Sequence, residues 1–152
     1  DASAAQALVA ADVAHLSVVI GEATIAVGPL VLPGQGSCLR CLDLHRADRD
    51  PAWPRVLAQL LTARRRVEGE PDQVAEETAS AQLAASLAAL QVLAHLDGVH
   101  RPASLSATLE VELPDGLISR REWPVHASCG CHWPPAGERR TRPGTGRETM
   151  TP

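Results

Sequence analysis

The residue pattern predicts an α+β fold, the α/β class reduced to a largely antiparallel sheet of two hairpins with two packed helices. Three observations predict it. Two β-branched runs flank a glycine turn near the start of the chain. An Ala/Leu-rich segment in the second half is long enough for a helix of more than five turns. A stretch of strict period-two alternation then turns back on itself through Pro-Asp-Gly. The chain has 152 residues, 45% of them hydrophobic and 21% charged. That is enough for one real core and too little for two.

In chain order, residues 1–14 (DASAAQALVAADVA) read as a short Ala-rich helix. His15 to Ile20 and Thr24 to Leu32 form the first hairpin around Gly21-Glu22. Gly28-Pro29 interrupts the second run and predicts a bent or edge strand. Pro33-Gly34-Gln35-Gly36 delivers the chain to Cys38. Residues 43–50 (DLHRADRD) read as a solvated charged loop, with Asp50 capping the next helix. That helix carries Trp53, Val56, Leu57, Leu60 and Leu61 at a 3–4 spacing. It ends in Arg64-Arg65-Arg66, which complements a helix C-terminus. Residues 67–72 read as a loop.

A long helix is predicted from about Gln73 to Leu96, capped by Asp72 and closed by Asp97-Gly98. Leu83, Leu87, Leu90 and Ala94 form its apolar stripe, with Ala81, Ala84, Ala85 and Ala88 as a small-residue flank that admits a close neighbour. Ser106 to Leu113 and Leu117 to Trp123 are the clearest hairpin. Residues 134–152 are Pro, Gly, Thr and Arg with almost nothing to bury, and a disordered tail is expected there. The ordered unit is therefore residues 1–133.

Composition narrows the functions. No run of about 18 apolar residues was found in the sequence, so no membrane span is expected. No basic segment precedes an apolar one, so no signal peptide is expected and a cytoplasmic location follows. The formal net charge of −4 argues against nucleic-acid binding. A chain that begins at Asp1 instead of Met reads as a fragment or a processed product. All basic residues are arginine, which reflects codon bias in high-GC coding and not phosphate recognition. The aromatic residues are Trp53, Trp123 and Trp133, so the core falls to Leu, Val, Ile and Ala.

The chemistry-bearing residues are the four cysteines, in the pairs Cys38-Leu39-Arg40-Cys41 and Cys129-Gly130-Cys131. Two thiolates two or three residues apart grip one metal from a tight knuckle, and two knuckles complete a tetrahedral zinc site. The pairs stand far apart in the chain, so the fold must bring them together. Such a site is structural, because four thiolates leave no position open for water or substrate. A mixed site that uses His126 or His132 is the first alternative. Two disulfides are the second, disfavoured in a reducing compartment. His45, Asp43 and Asp48 resemble a metal or acid–base cluster, but a charged loop explains them as well. His95 suits a helix C-terminus. Arg46, Arg49 and Arg64–Arg66 can grip an anion, although a helix-end surface explains them more simply. None of the phosphate-loop, nucleophile-elbow or zinc-protease signatures is present.

The segments VGPLVLPGQGSCLRCLDLHRADRDPAWP, ATLEVELPDG and WPVHASCGC, with the Ala/Leu helix between the first two, carry a resemblance. Their order resembles the C-terminal half of the ThiF/MoeB-like adenylyltransferase superfamily, to which ubiquitin-activating enzymes belong. The phrase CLRCLDLHRADRDPAWP looks closest to an actinobacterial branch, similar to the cyclodehydratase partner proteins of thiazole/oxazole-modified peptide biosynthesis. The resemblance covers about residues 10–131. It implies that Cys38, Cys41, Cys129 and Cys131 are structural zinc ligands, with CxC in place of the commoner CxxC in the second pair. It implies a YcaO-type enzyme and a precursor peptide as partners, reached through the parent protein. A homo-oligomer is expected separately, from apolar surface left on the long helix and the sheet edge. The family's nucleotide-binding loop lies outside the matching segment, so ATP is not expected to bind here. No catalytic cysteine is left over, so no thioester chemistry is expected either. The resemblance thus implies a non-catalytic, zinc-stabilised scaffold portion of a ThiF-like protein that assists a YcaO-type cyclodehydratase. Two other readings stand beside it: the non-nucleotide half of an active adenylyltransferase, and a free-standing zinc-ribbon interaction module.

Overall fold

In the computed structural model, residues 2–67 and 78–132 are described. The element order is α1 (Ala2–Ala10), β1 (His15–Ile20), β2 (Thr24–Val31), α2 (Leu39–Arg49), α3 (Trp53–Val67), α4 (Thr78–Asp97), β3 (Ala107–Glu112) and β4 (Leu117–Glu122). The four strands form one antiparallel sheet in the order β1-β2-β3-β4. Both expected hairpins are present. They are joined edge to edge by β2 and β3, which pair from Thr24↔Glu112 to Val27↔Leu109 after the whole helical excursion.

The alternation of the strands puts Ile25, Val27, Leu109 and Val111 on one face, where they are buried. Ala84 of α4 completes this core, and Leu16, Ile20, Leu83, Leu87, Ala88 and Leu113 pack around it. Alanine at the centre lets the helix lie close on the sheet, as the small-residue flank predicts. The expected leucine stripe is rotated, however. Leu90 is 59% exposed, whereas Ser80, Ala84 and Gln91 are buried. The Gln91 side chain accepts the Ser104 N–H at 2.9 Å, which ties the end of α4 to the segment before β3.

Three expectations are corrected and one, for β2, is narrowed. The helices among the described residues number four, not the two of the expected packed pair: α2 is added, and the short N-terminal helix expected at residues 1–14 forms as α1 and packs through Val9 on the cysteine cluster. The charged stretch read as a loop is helical: Leu39 to Arg49 is α2, with Cys41 and Leu42 buried on its inner side, Asp43 and Arg46 half-buried, and Arg40, Asp48 and Arg49 exposed. β2 was expected to be bent or at an edge; the bend is the form realised, in a strand inside the sheet. Gly28 has φ +114°, β1–β2 register shifts opposite it, and past the bend Leu30 donates to the Ser104 carbonyl at 2.9 Å. Finally, α4 is by length and composition apolar enough to cross a membrane, although no such segment was expected. One of its faces packs on the sheet; Leu93 and Leu96 lie outward at 53% and 71% exposure.

The helix of Trp53 to Val67 forms as expected. Asp50 accepts the Ala52 N–H at 2.9 Å and so serves both the end of α2 and the start of α3. The predicted loop from residue 68 onward, the Asp72 cap, the side chains of Arg64–Arg66 and the tail 134–152 lie outside the described residues.

Candidate metal centre

The bend at Gly28 carries β2 past the sheet and delivers the chain to a second, smaller core. Here Val31 packs with Cys38, Cys41 and Cys131, bordered by Val9 and Cys129. Cys38 stands at the N-terminal end of α2 and Cys41 in its first turn. Their i, i+3 spacing therefore puts both thiols on one side of the helix. The second pair lies in a tight turn beyond β4, where the Cys129 N–H reaches the His126 carbonyl at 3.0 Å and Gly130 takes φ +72°.

Sulfur to sulfur, Cys38–Cys129 is 3.4 Å, Cys41–Cys131 is 3.3 Å and Cys38–Cys41 is 3.9 Å. All four Sγ atoms lie within 4.8 Å of one another. Four sulfurs at about 2.3 Å from a tetrahedral ion stand about 3.8 Å apart, close to this spread. All four cysteines are free, and the closest pair is far beyond bonding distance, so the disulfide alternative is not realised. The four-donor cluster contains no histidine. His126 turns its ring to Asp48, and His132 is exposed, so the mixed site is not what the fold gathers.

The electrostatics fit a cation-requiring site. Donation to the Cys41 sulfur, then burial, pushes the Cys38 thiol up to about 12. Burial is the first cause that raises Cys131 to about 11. Without a positive charge between them the thiols keep their protons, and a bound dication must displace these. The sign follows directly: proton release makes apparent metal affinity rise with pH throughout the range below the thiol values. Lowering the pH from 8 to 6 is expected to weaken loading at least about 100-fold. A chelator-competition titration at pH 6, 7 and 8 measures this, and a flat profile would contradict thiolate ligation.

Around the centre, α2 and α3 are joined by Trp53, whose indole N–H donates to the Asp43 carboxylate at 3.2 Å. Burial pushes the Asp43 carboxyl up, against the opposing pull of the indole N–H and Arg46. Arg46 stacks over Trp53 at 4.8 Å and over Trp123 at 5.5 Å. Arg49 and Arg121 also stand over Trp123. The buried Trp123 indole donates to Thr108 at 2.9 Å, which fixes the chain between β4 and the second knuckle. Arg46 and Arg49 are thus partly engaged with indole faces instead of standing as a free anion grip. His45, Asp48 and His126 do come together, from α2 and the second knuckle. Sequence reading left His45 and Asp48 in a loop and considered His126 only as a sulfur substitute. The available signals were local: His-x-x-Cys-x-Cys ties His126 to the second knuckle, and a three-residue spacing puts His45 and Asp48 on one face once α2 is helical. Their meeting was not signalled.

A four-stranded antiparallel sheet covered by one helix, with four cysteines gathered from an early helix and the turn beyond β4, defines an α+β domain with a clustered-cysteine centre. No family model matches the chain, and no curated protein matches it. Solved structures do resemble it in fold. MccB of E. coli with ATP superposes with a TM-score of 0.60 at 17% identity, covering 86% of this chain and 34% of MccB. The same enzyme with the peptide MccA gives 0.60 at 17% identity, with 84% and 34% covered. The heterocyclase TruD gives 0.59 at 19% identity, with 86% and 20% covered. The chain therefore spans about a third of MccB and a fifth of TruD.

Proposed function

We propose that this chain is the zinc-stapled, non-catalytic scaffold portion of a ThiF-like protein that assists a YcaO-type cyclodehydratase in modifying ribosomal peptides. The gathering of Cys38, Cys41, Cys129 and Cys131 is the observation that carries the reading. The segment order of the ThiF/MoeB-like superfamily, in its actinobacterial branch, supports it. So does the fold likeness to an enzyme of microcin C7 biosynthesis bound to MccA and to a heterocyclase. Zinc suits the donor set, since four thiolates favour a soft tetrahedral ion. Such a site leaves no ligand position for substrate, so its contribution is to hold the fold.

The test is native mass spectrometry of the chain, followed by affinity capture of a purified YcaO-type cyclodehydratase and its precursor peptide by the protein from which this segment comes. One zinc per chain and retention of the cyclodehydratase by the parent protein are expected. Metal-free chains, or a zinc-loaded parent protein that captures neither partner, would defeat the reading. A second reading, the non-nucleotide half of an adenylyltransferase active in the cytoplasm, is favoured by the likeness to MccB solved with ATP. ATP–pyrophosphate exchange by the protein from which this segment comes distinguishes the two.

The apolar outer face of α4, where Leu90, Leu93 and Leu96 are more than half exposed, supports a homodimer. Replacing Leu93 and Leu96 together by Glu is expected to convert the dimer to a monomer in light scattering while zinc content stays at one per chain. A wild-type monomer would end the dimer reading.

A further inference from the structure

One residue makes contact with both cysteine knuckles. The His126 backbone N–H donates to the Cys41 sulfur at 3.4 Å, which reaches the first knuckle. Its carbonyl accepts the Cys129 N–H at 3.0 Å, and its ring Nδ1 accepts the Ser128 N–H at 3.1 Å, which shapes the second. Its ring Nε2 meets the Asp48 carboxylate at 2.9 Å, on the helix that presents Cys41. His45, three residues before Asp48, stands edge-on to the same ring at 4.8 Å and donates its Nε2–H to the Pro124 carbonyl at 2.9 Å. Helix α2 thus grips residues 124–126 from two positions on one face.

The hydrogen bonds also decide what the cluster is. A ring nitrogen that accepts an amide proton has no proton of its own, so in neutral His126 the other nitrogen, Nε2, carries it and donates to Asp48. A metal ligated through Nε2 needs the opposite tautomer, with Nδ1–H turned toward an acceptor. Nδ1 here faces an amide donor. The arrangement suits a clasp and does not suit a second metal site.

We infer that His126, held by Asp48, is a positioning residue of the cysteine centre: it sets the second knuckle against the first and aims its own amide at the Cys41 sulfur. The inference rests on the zinc reading. Four thiolates around a dication leave two surplus negative charges, and an N–H aimed at one sulfur takes up part of that charge. Outer groups that orient metal ligands typically govern affinity about 10- to 100-fold.

The experiment loads the chain with cobalt(II) as a spectroscopic probe and measures affinity by chelator competition. It compares wild type with His126→Ala, His126→Asn and Asp48→Ala. Asp48 is largely exposed, so its replacement leaves the fold intact. His126→Ala is expected to lose about 10- to 100-fold in affinity and to shift the sulfur-to-cobalt charge-transfer band. Asp48→Ala is expected to lose less and to retain tetrahedral cobalt. His126→Asn keeps an acceptor for the Ser128 N–H and should recover to the Asp48→Ala level. Affinities within twofold of wild type for His126→Ala and Asp48→Ala overturn the inference and leave the zinc reading standing. Two ions per wild-type chain, falling to one in His126→Ala, also overturn it. A wild-type chain that takes no cobalt removes the zinc reading and the inference together.

Discussion

If the four cysteines hold zinc as proposed, chelation is expected to abolish cooperative folding of the chain at 25 °C. The second core consists of Val31 and three buried cysteines, with Val9 and Cys129 at its border. That is too little apolar surface to hold α1, α2 and the C-terminal knuckle on the sheet. A structural zinc site contributes on the order of 10 kcal/mol, about as much as the whole stability of an ordinary domain. Without an ion the buried thiols would have only weak sulfur hydrogen bonds between them. Loss of the far-UV circular-dichroism transition on treatment with a strong chelator is the measurement, with recovery on zinc addition. Cys41→Ser should behave as the chelated chain does, because Cys41 is fully buried and meets Cys38, Cys131 and the His126 amide. A full, cooperative melt after complete chelation would show that the hydrophobic clusters suffice.

Gly28→Ala is expected to be the most damaging single-methyl change in the sheet. A Cβ at this position would collide with the backbone carbonyl oxygen of Ala107 and crowd the Ser104 side chain at 3.1 Å. The backbone there sits at φ +114°, a conformation L side chains rarely adopt. Strain and overpacking together should cost about 3 kcal/mol, or roughly 10 °C in melting temperature. Gly116→Ala is the control. It also has a positive φ, +71°, but nothing lies within 4 Å of the added carbon. Its cost should stay near 1 kcal/mol. Equal shifts in the two variants would mean that the close approach of β2 to Ala107 carries no weight.

The parts of the fold written in local pattern were legible. Period-two alternation located β3 and β4, and the Pro-Asp-Gly turn located their connection. The interruption at Gly28-Pro29 marked the bend in β2. What that signal does not contain is the partner across the strand: only the pairing of β2 with β3 makes this an interior strand. Helix α2 was misread because DLHRADRD is dominated by charge. Its apolar anchors are two residues, Cys41 and Leu42, whose burial depends on the second core. On α4 the alanines and leucines surround the helix so evenly that the composition names no buried face. The sheet selects Ala84 and leaves Leu90 outside.

The candidate site divides in the same way. Residue order identifies the four thiols, their pairing into knuckles and the type of ion they suit, because thiolate chemistry and i, i+3 spacing are local properties. Whether the knuckles meet is a matter of long-range packing, and so is the convergence of His45 and Asp48 on His126 from far along the chain. A tight turn can place two ligands by itself; four need two distant segments held at one distance. Here the bend at Gly28 and the anchoring of Trp123 beside β4 supply that distance, and neither is encoded in the cysteines themselves.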